Sequence, residues 1–171
     1  MSTDETKIDI AFDPREQRMH GWTAHRGIEF DVPYMTEIVP GLWQGGCRDG
    51  LVLPSHISHV VSLYPWESYT VGHELKSKLE VRMKDSLTQT FDEVDVLADW
   101  VNVCRKTGDV LVHCQAGLNR SSLVVAAALL ADHNHGYSPD QVITMIRTMR
   151  SPACLCNSAF EDWLHDNYTM F

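Results

Sequence analysis

The stretch DVLVHCQAGLNRSSLVVAAALLA, residues 109–131, decides how the rest of the chain is to be read. Residues 109–112 are a short, apolar, β-branched run, and residues 123–131 stay apolar over more than two helical turns. The ten residues between, HCQAGLNRSS, therefore join a buried strand to a buried helix. At such a junction the first N–H groups of the helix have no intrahelical partner, and the helix dipole adds to their pull on an anion. The amides of Gln115, Ala116, Gly117, Leu118, Asn119 and Arg120 are the expected phosphate cradle, and Gly117 supplies the backbone freedom of a curled loop. The same positive field favours the thiolate form of Cys114, a nucleophile. Arg120 follows Cys114 at the distance of one loop, and its planar fork can hold two phosphoryl oxygens as a lysine cannot.

Outward from this loop, strands and helices alternate. Short strands are expected at residues 36–39, 42–44, 59–63 and 79–83, a brief helix near residues 51–57, and a loop over residues 64–72. Phe91, Val94, Leu97, Ala98, Val101 and Cys104 recur at a helical period across residues 90–105, and Gly108 ends that element. Ser138-Pro139 opens a further helix as N-cap and first position, with Val142, Ile143, Ile146 and Met149 as its buried stripe. A last helix is expected at about residues 158–166. The fold class that follows is α/β: a single-domain sandwich with a central, mainly parallel sheet flanked by helices. Residues 1–32 are polar, of mixed charge and without a sustained apolar period. They form an N-terminal arm that is either partly disordered or packed through Phe12, Trp22 and Phe30, with the catalytic domain over residues 33–171.

His113-Cys114 through Arg120-Ser121 resembles the HCxxGxxR[ST] loop of the cysteine-dependent protein tyrosine phosphatase superfamily, and the chain is most similar to its dual-specificity branch. Weaker likenesses run outside the loop: IVPGLWQGG at residues 38–46, HVVSLY at 59–64, LEVRMKD at 79–85 and NSAFEDWL at 157–164. The resemblance implies a dual-specificity phosphatase-like fold and hydrolysis of phosphomonoesters through a phosphocysteine intermediate, with a phosphorylated protein as substrate. Such a reaction needs a proton donor for the leaving oxygen. Asp85 opens a polar loop, DSLTQT, just after an expected strand, and the resemblance places the acid in the corresponding loop. Its competitors Asp92, Asp95 and Asp99 lie near the start of the next helix, where acidic residues are ordinary dipole partners. By the same resemblance Ser121 donates a hydrogen bond to the departing thiolate. His113 orders the loop through a backbone bond, and Asn119 either stabilises the loop or serves only its turn. The Trp-Pro-Asp triplet of classical tyrosine phosphatases is missing.

Other readings compete. A rhodanese-type loop is one residue shorter, and the low-molecular-weight phosphatases carry this spacing near the N-terminus. The Asn119-Arg120 pair resembles the RNA 5′-triphosphatase loop, which continues with threonine where this chain has Ser121. A non-catalytic phosphoprotein-binding module is a further alternative, one that loss of the cysteine, the arginine or the acid would support; all three are present. A net charge of −9 over 171 residues leaves no general basic track for nucleic acid or for an anionic membrane. The longest apolar run is far shorter than the roughly twenty residues a spanning helix needs. MSTDETKIDI lacks a secretory apolar stretch, and five cysteines without a framework spacing fit a reducing, cytoplasmic setting. Neither a cofactor nor a metal is expected: His56 with His59, and His133 with His135, lack cysteine or carboxylate partners at site spacing. Tyr64, Trp66 and Tyr69 are expected either to wall a cleft around a phenyl ring or to pack their loop on the core. Cys47 is the candidate to capture an oxidised Cys114 as a disulfide, given Cα atoms within about 7 Å.

Overall fold

The structure is a computed structural model that describes residues 13–23 and 26–168. Five strands form one sheet in the order β3-β4-β7-β5-β6. They are β3 (Met35–Val39), β4 (Leu42–Gly45), β5 (Ile57–Ser62), β6 (Ser77–Glu80) and β7 (Asp109–His113). Only the β3/β4 pair is antiparallel; β4/β7, β7/β5 and β5/β6 run parallel. The central strand, β7, buries Val110, Leu111, Val112 and His113 completely. Successive side chains of a strand point to opposite faces, so both faces of the sheet are covered there, as a parallel sheet requires.

Helix α2 (Arg120–Ala131) follows β7 and packs on β4 and β7. Its residues 120–130 are all buried because α1 (Val94–Arg105), α3 (Pro139–Met149) and α4 (Ser158–Asn167) each lie against it. A helix enclosed on every side has no polar face to present, which is why its sequence shows small and apolar residues without a stripe. The α/β sandwich with a mainly parallel sheet expected from the sequence is the fold observed.

Several local expectations are corrected. Residues 51–57 form no helix. Leu53 N–H donates to Thr70 O and Thr70 N–H donates to Leu51 O, so this segment bridges to the loop beside it. Pro54 supplies no N–H and disfavours a helical Leu53, and the buried Leu51 and Leu53 alternate with the half-buried Val52 as in an extended chain. The edge strand lies at Ser77–Glu80, displaced from residues 79–83, and α1 starts at Val94, not near residue 90. At α3 the expected cap is present in full: Gln141 N–H donates to Ser138 Oγ and Ser138 N–H to Gln141 Oε1.

The front segment holds a two-stranded antiparallel ribbon, β1 (Arg18–Trp22) with β2 (Glu29–Pro33). Met19, Phe30 and Val32 are buried in the same cluster as the sheet core, whereas Trp22 is 68% exposed. Phe12 lies outside the described residues.

Candidate active site

The loop between β7 and α2 is built by contacts from four directions. Gly117 sits at φ +73°, and a Cβ there would come within 2.5 Å of the Gly45 carbonyl carbon and 2.6 Å of Arg150 Nη2. Only glycine meets both the conformation and the close approach. The Gly117 carbonyl accepts from Gln44 Nε2 at 3.0 Å and from Arg150 Nε at 2.6 Å. Arg150 also donates to Ala116 O, Pro33 O and Thr36 Oγ1. All these acceptors are neutral, so a buried guanidinium charge stands directly behind the loop. Burial lowers its pKa, but from so high a starting point that the charge remains.

On the loop's inner side Cys114 is 2% exposed. Its thiol donates to Ser121 Oγ at 3.4 Å, and Gly117 N–H donates to Cys114 Sγ at 3.3 Å. Arg120 Nη1 donates to Met83 O at 3.0 Å, and Tyr64 lies against the same guanidinium, 5.2 Å from its ring centroid. Arg120 Nε is buried with no hydrogen-bond partner. Unsatisfied buried donors are costly, and at this position the donor is one that a bound oxyanion would satisfy.

Asn119 is the N-cap of α2, yet its side chain makes no capping bond. Its amide donates to Asp85 Oδ2 at 2.9 Å, and its carbonyl oxygen accepts from Asn157 N–H at 3.0 Å. The α2 N-terminal amides are thereby left uncapped by this side chain. Asn157 Nδ2 donates to Asp85 Oδ1 at 3.0 Å and to Ser86 O at 3.1 Å, so two amides hold both carboxylate oxygens of Asp85. Asp92, Asp95 and Asp99 do not line the cavity that holds Cys114, and Asp95 accepts from Tyr168 Oη.

Asp85, Cys114, Gln115, Ala116, Leu118, Asn119 and Arg120 line one cavity of about 90 Å³, together with Trp22 and Thr23 from the end of β1. His113 faces away from it, fully buried, with Nδ1 on Cys114 O at 3.2 Å and Nε2 on Tyr69 Oη at 3.0 Å. Burial holds its pKa down to about 4, so the imidazole is neutral at physiological pH. Tyr69 is taken up by this contact, edge-on to the imidazole, and is absent from the cavity wall. Tyr64 and Trp66 pack on each other near Arg120 without lining the cavity.

Cys47 N–H donates to Gln115 O, which places the residue beside the loop. Its thiol donates to Glu67 O, and burial with the nearby Glu67 and Asp49 pushes its pKa up to about 12. A protonated thiol is a poor partner for disulfide exchange. Among the described residues no group of three or more His, Cys, Asp or Glu side chains could hold a metal ion, and no helix is long and apolar enough to cross a membrane.

The sequence reading missed Gln44 and Arg150 behind the loop, and Trp22 and Thr23 at its mouth. Asn157 carried one legible signal, an N-cap position for α4, where its side chain accepts from Ala159 N–H. Its second task, holding Asp85, has no sequence signature.

The chain is similar to several known proteins. "Dual specificity protein phosphatase 1B" of Arabidopsis thaliana is 29% identical over 126 residues, covering 70% of this chain and 73% of that protein. The fold is similar to that of human DUSP28, with a TM-score of 0.64 at 18% identity over 80% of this chain and 93% of that one. It is also similar to the human tyrosine phosphatase-like serine/threonine/tyrosine-interacting protein, with a TM-score of 0.63 at 18% identity over 77% and 93%. The family described as dual specificity phosphatase, catalytic domain, matches residues 54–170, a span that holds the loop, Asp85 and Asn157. The chain thus belongs to the dual specificity phosphatase family and is an enzyme of the protein tyrosine and dual-specificity phosphatase type.

Proposed function

We propose that the enzyme hydrolyses phosphomonoesters of proteins, phosphotyrosine foremost and phosphoserine and phosphothreonine within reach, through a phosphocysteine intermediate. The observation that carries this is the convergence of Cys114, Asp85 and Arg120, a guanidinium with its Nε unpartnered, on one small cavity. In the first step the Cys114 sulfur attacks phosphorus in line. The bond to the leaving oxygen breaks, and Asp85, in its acid form, protonates that oxygen. Arg120 and the loop amides hold the equatorial oxygens as charge spreads over them, with the buried charge of Arg150 behind. In the second step water attacks the phosphocysteine while Asp85 takes its proton. The sulfur leaves as a thiolate, and the Ser121 hydroxyl, 3.4 Å away, then donates to it. His113 acts by orienting the loop, since a buried imidazole turned from the cavity, with both ring nitrogens in hydrogen bonds, does not reach the leaving oxygen. The chemistry calls on neither cofactor nor metal, and a thiol nucleophile requires a reducing compartment, so cytoplasmic residence is part of the proposal.

The test is steady-state release of phosphate from a small aryl phosphate with reductant and chelator present. Cys114→Ser should abolish turnover. Arg120→Ala should lower kcat/KM by about 10³-fold, and Asp85→Asn should lower kcat by about 10²- to 10³-fold. Intact-mass analysis of acid-quenched enzyme should show one added phosphoryl group on wild type and none on Cys114→Ser. Turnover that survives Cys114→Ser, or a folded, reduced wild type that releases no phosphate, would overturn the proposal.

A further inference from the structure

Two residues at the cavity mouth belong to neither the loop nor the residues matched by the family, which begin at residue 54. Thr23 is 6% exposed, lines the cavity, and its Oγ1 is buried with no hydrogen-bond partner. Trp22 lines the same cavity yet is 68% exposed, the largest apolar surface beside the reacting thiol. Neither position is accidental to a loose arm. Thr23 N–H donates to Ile28 O, the ribbon register runs from Arg18 with Pro33 to Trp22 with Glu29, and Met19, Phe30 and Val32 root it in the core. Met19 also reaches the loop: a Cβ on Gly46 would meet both Met19 Cε and Gln115 O within 2.9 Å. A ribbon anchored this way keeps Trp22 and Thr23 at the cavity that Cys114 lines.

Resting on the phosphatase reading above, we propose that the β1–β2 ribbon completes the active site and sets its substrate preference. Trp22 takes the phenyl ring of phosphotyrosine against its indole, and Thr23 donates its hydroxyl to a phosphoryl oxygen. An indole at the rim rewards a flat aromatic leaving group and offers little to the short side chains of phosphoserine and phosphothreonine. A hydroxyl that finds no partner among the described residues and turns to the phosphoryl group contributes to every phosphomonoester alike. Arg120 and Thr23 both line this cavity, and each carries a buried polar atom with no hydrogen-bond partner, Nε and Oγ1. The catalytic unit accordingly includes the front ribbon and does not begin at residue 33.

The experiment compares kcat/KM for a phosphotyrosine peptide and the same peptide carrying phosphothreonine, with inorganic phosphate as competitive inhibitor. Trp22→Ala should lower the tyrosine-to-threonine preference by about tenfold, mainly through KM for the tyrosine peptide, and Trp22→Phe should restore most of it. Thr23→Val, of equal size, should lower kcat/KM on both peptides and raise the inhibition constant of phosphate, each by about tenfold, with Thr23→Ser recovering both. Melting temperatures of all four variants separate these effects from loss of fold. An unchanged preference in Trp22→Ala, or unchanged phosphate inhibition in Thr23→Val, overturns the ribbon's role while the phosphatase reading stands. A wild type inactive on both peptides overturns the two together.

Discussion

At the scale of single residues, the site depends on side chains whose ordinary behaviour is overridden by where they sit. His113 is the clearest case: with its pKa held down to about 4 by burial, it stays neutral while an unfolded histidine titrates near 6.5. The folded state therefore binds fewer protons than the unfolded state between these values. Stability attributable to His113 is fully present above pH 6.5 and is lost as pH falls towards 4, by about 3 kcal/mol in all. Urea denaturation across this range should show that loss in wild type and a shallower one in His113→Asn, which lacks the titrating ring. Equal slopes in the two proteins would contradict the burial argument. Asn119 shows the other kind of override. As an N-cap it would ordinarily satisfy its own helix, and here its amide is spent on Asp85.

At the scale of elements, the strand, loop and helix that carry Cys114 were legible because their signals are contiguous: an apolar run, a glycine, an arginine and another apolar run. What sets the loop's shape arrives from other elements. Arg150, at the end of α3, ties the Ala116 and Gly117 carbonyls to Pro33 and Thr36 of the β2–β3 region. Replacing it by methionine removes the donor from Ala116 O, Pro33 O and Thr36 Oγ1 and leaves Gly117 O with Gln44 alone, at roughly 1–3 kcal/mol for each group that water cannot reach. Arg150→Met should therefore lose about 3 kcal/mol or more of stability. It should also lose at least about tenfold in kcat on an aryl phosphate, because the carbonyls that fix the loop are released. A variant that is destabilised yet fully active would assign Arg150 to packing alone. The mistaken helix at residues 51–57 has the same origin. Pro54 already disfavours a helix there, and Thr70 offers the backbone partners that hold the segment extended.

At the scale of the whole molecule, one core joins the front ribbon to the sheet. Phe30 and Met19 share the cluster that holds Val112, Leu118 and Leu123. Phe30→Ala should cost about 3 kcal/mol, as truncation of a buried aromatic does. Because ribbon and sheet share that core, the loss should appear as one shifted urea transition seen identically by fluorescence and circular dichroism. Two separated transitions would show the ribbon to be an independent unit. The net charge of −9 acts at this scale too. An excess of negative charge gives anions no general attraction to the molecule, so binding one falls to donors concentrated at a single site.

Taken alone, the amino-acid order determined the fold class and marked the residues of the candidate site. Cys114, Gly117, Arg120 and Ser121 lie within eight residues of one another, and strand and helix periods are local properties of the backbone. Asp85 was within reach of the same reasoning as the first acidic residue of a polar loop. Tertiary structure alone decided who holds that acid, what stands behind the loop and what walls its mouth. Asn157, Arg150 and Trp22 meet the site across 72, 33 and some 90 residues of intervening chain. Contacts of that span depend on how every element between them packs, and side-chain periodicity carries no record of them.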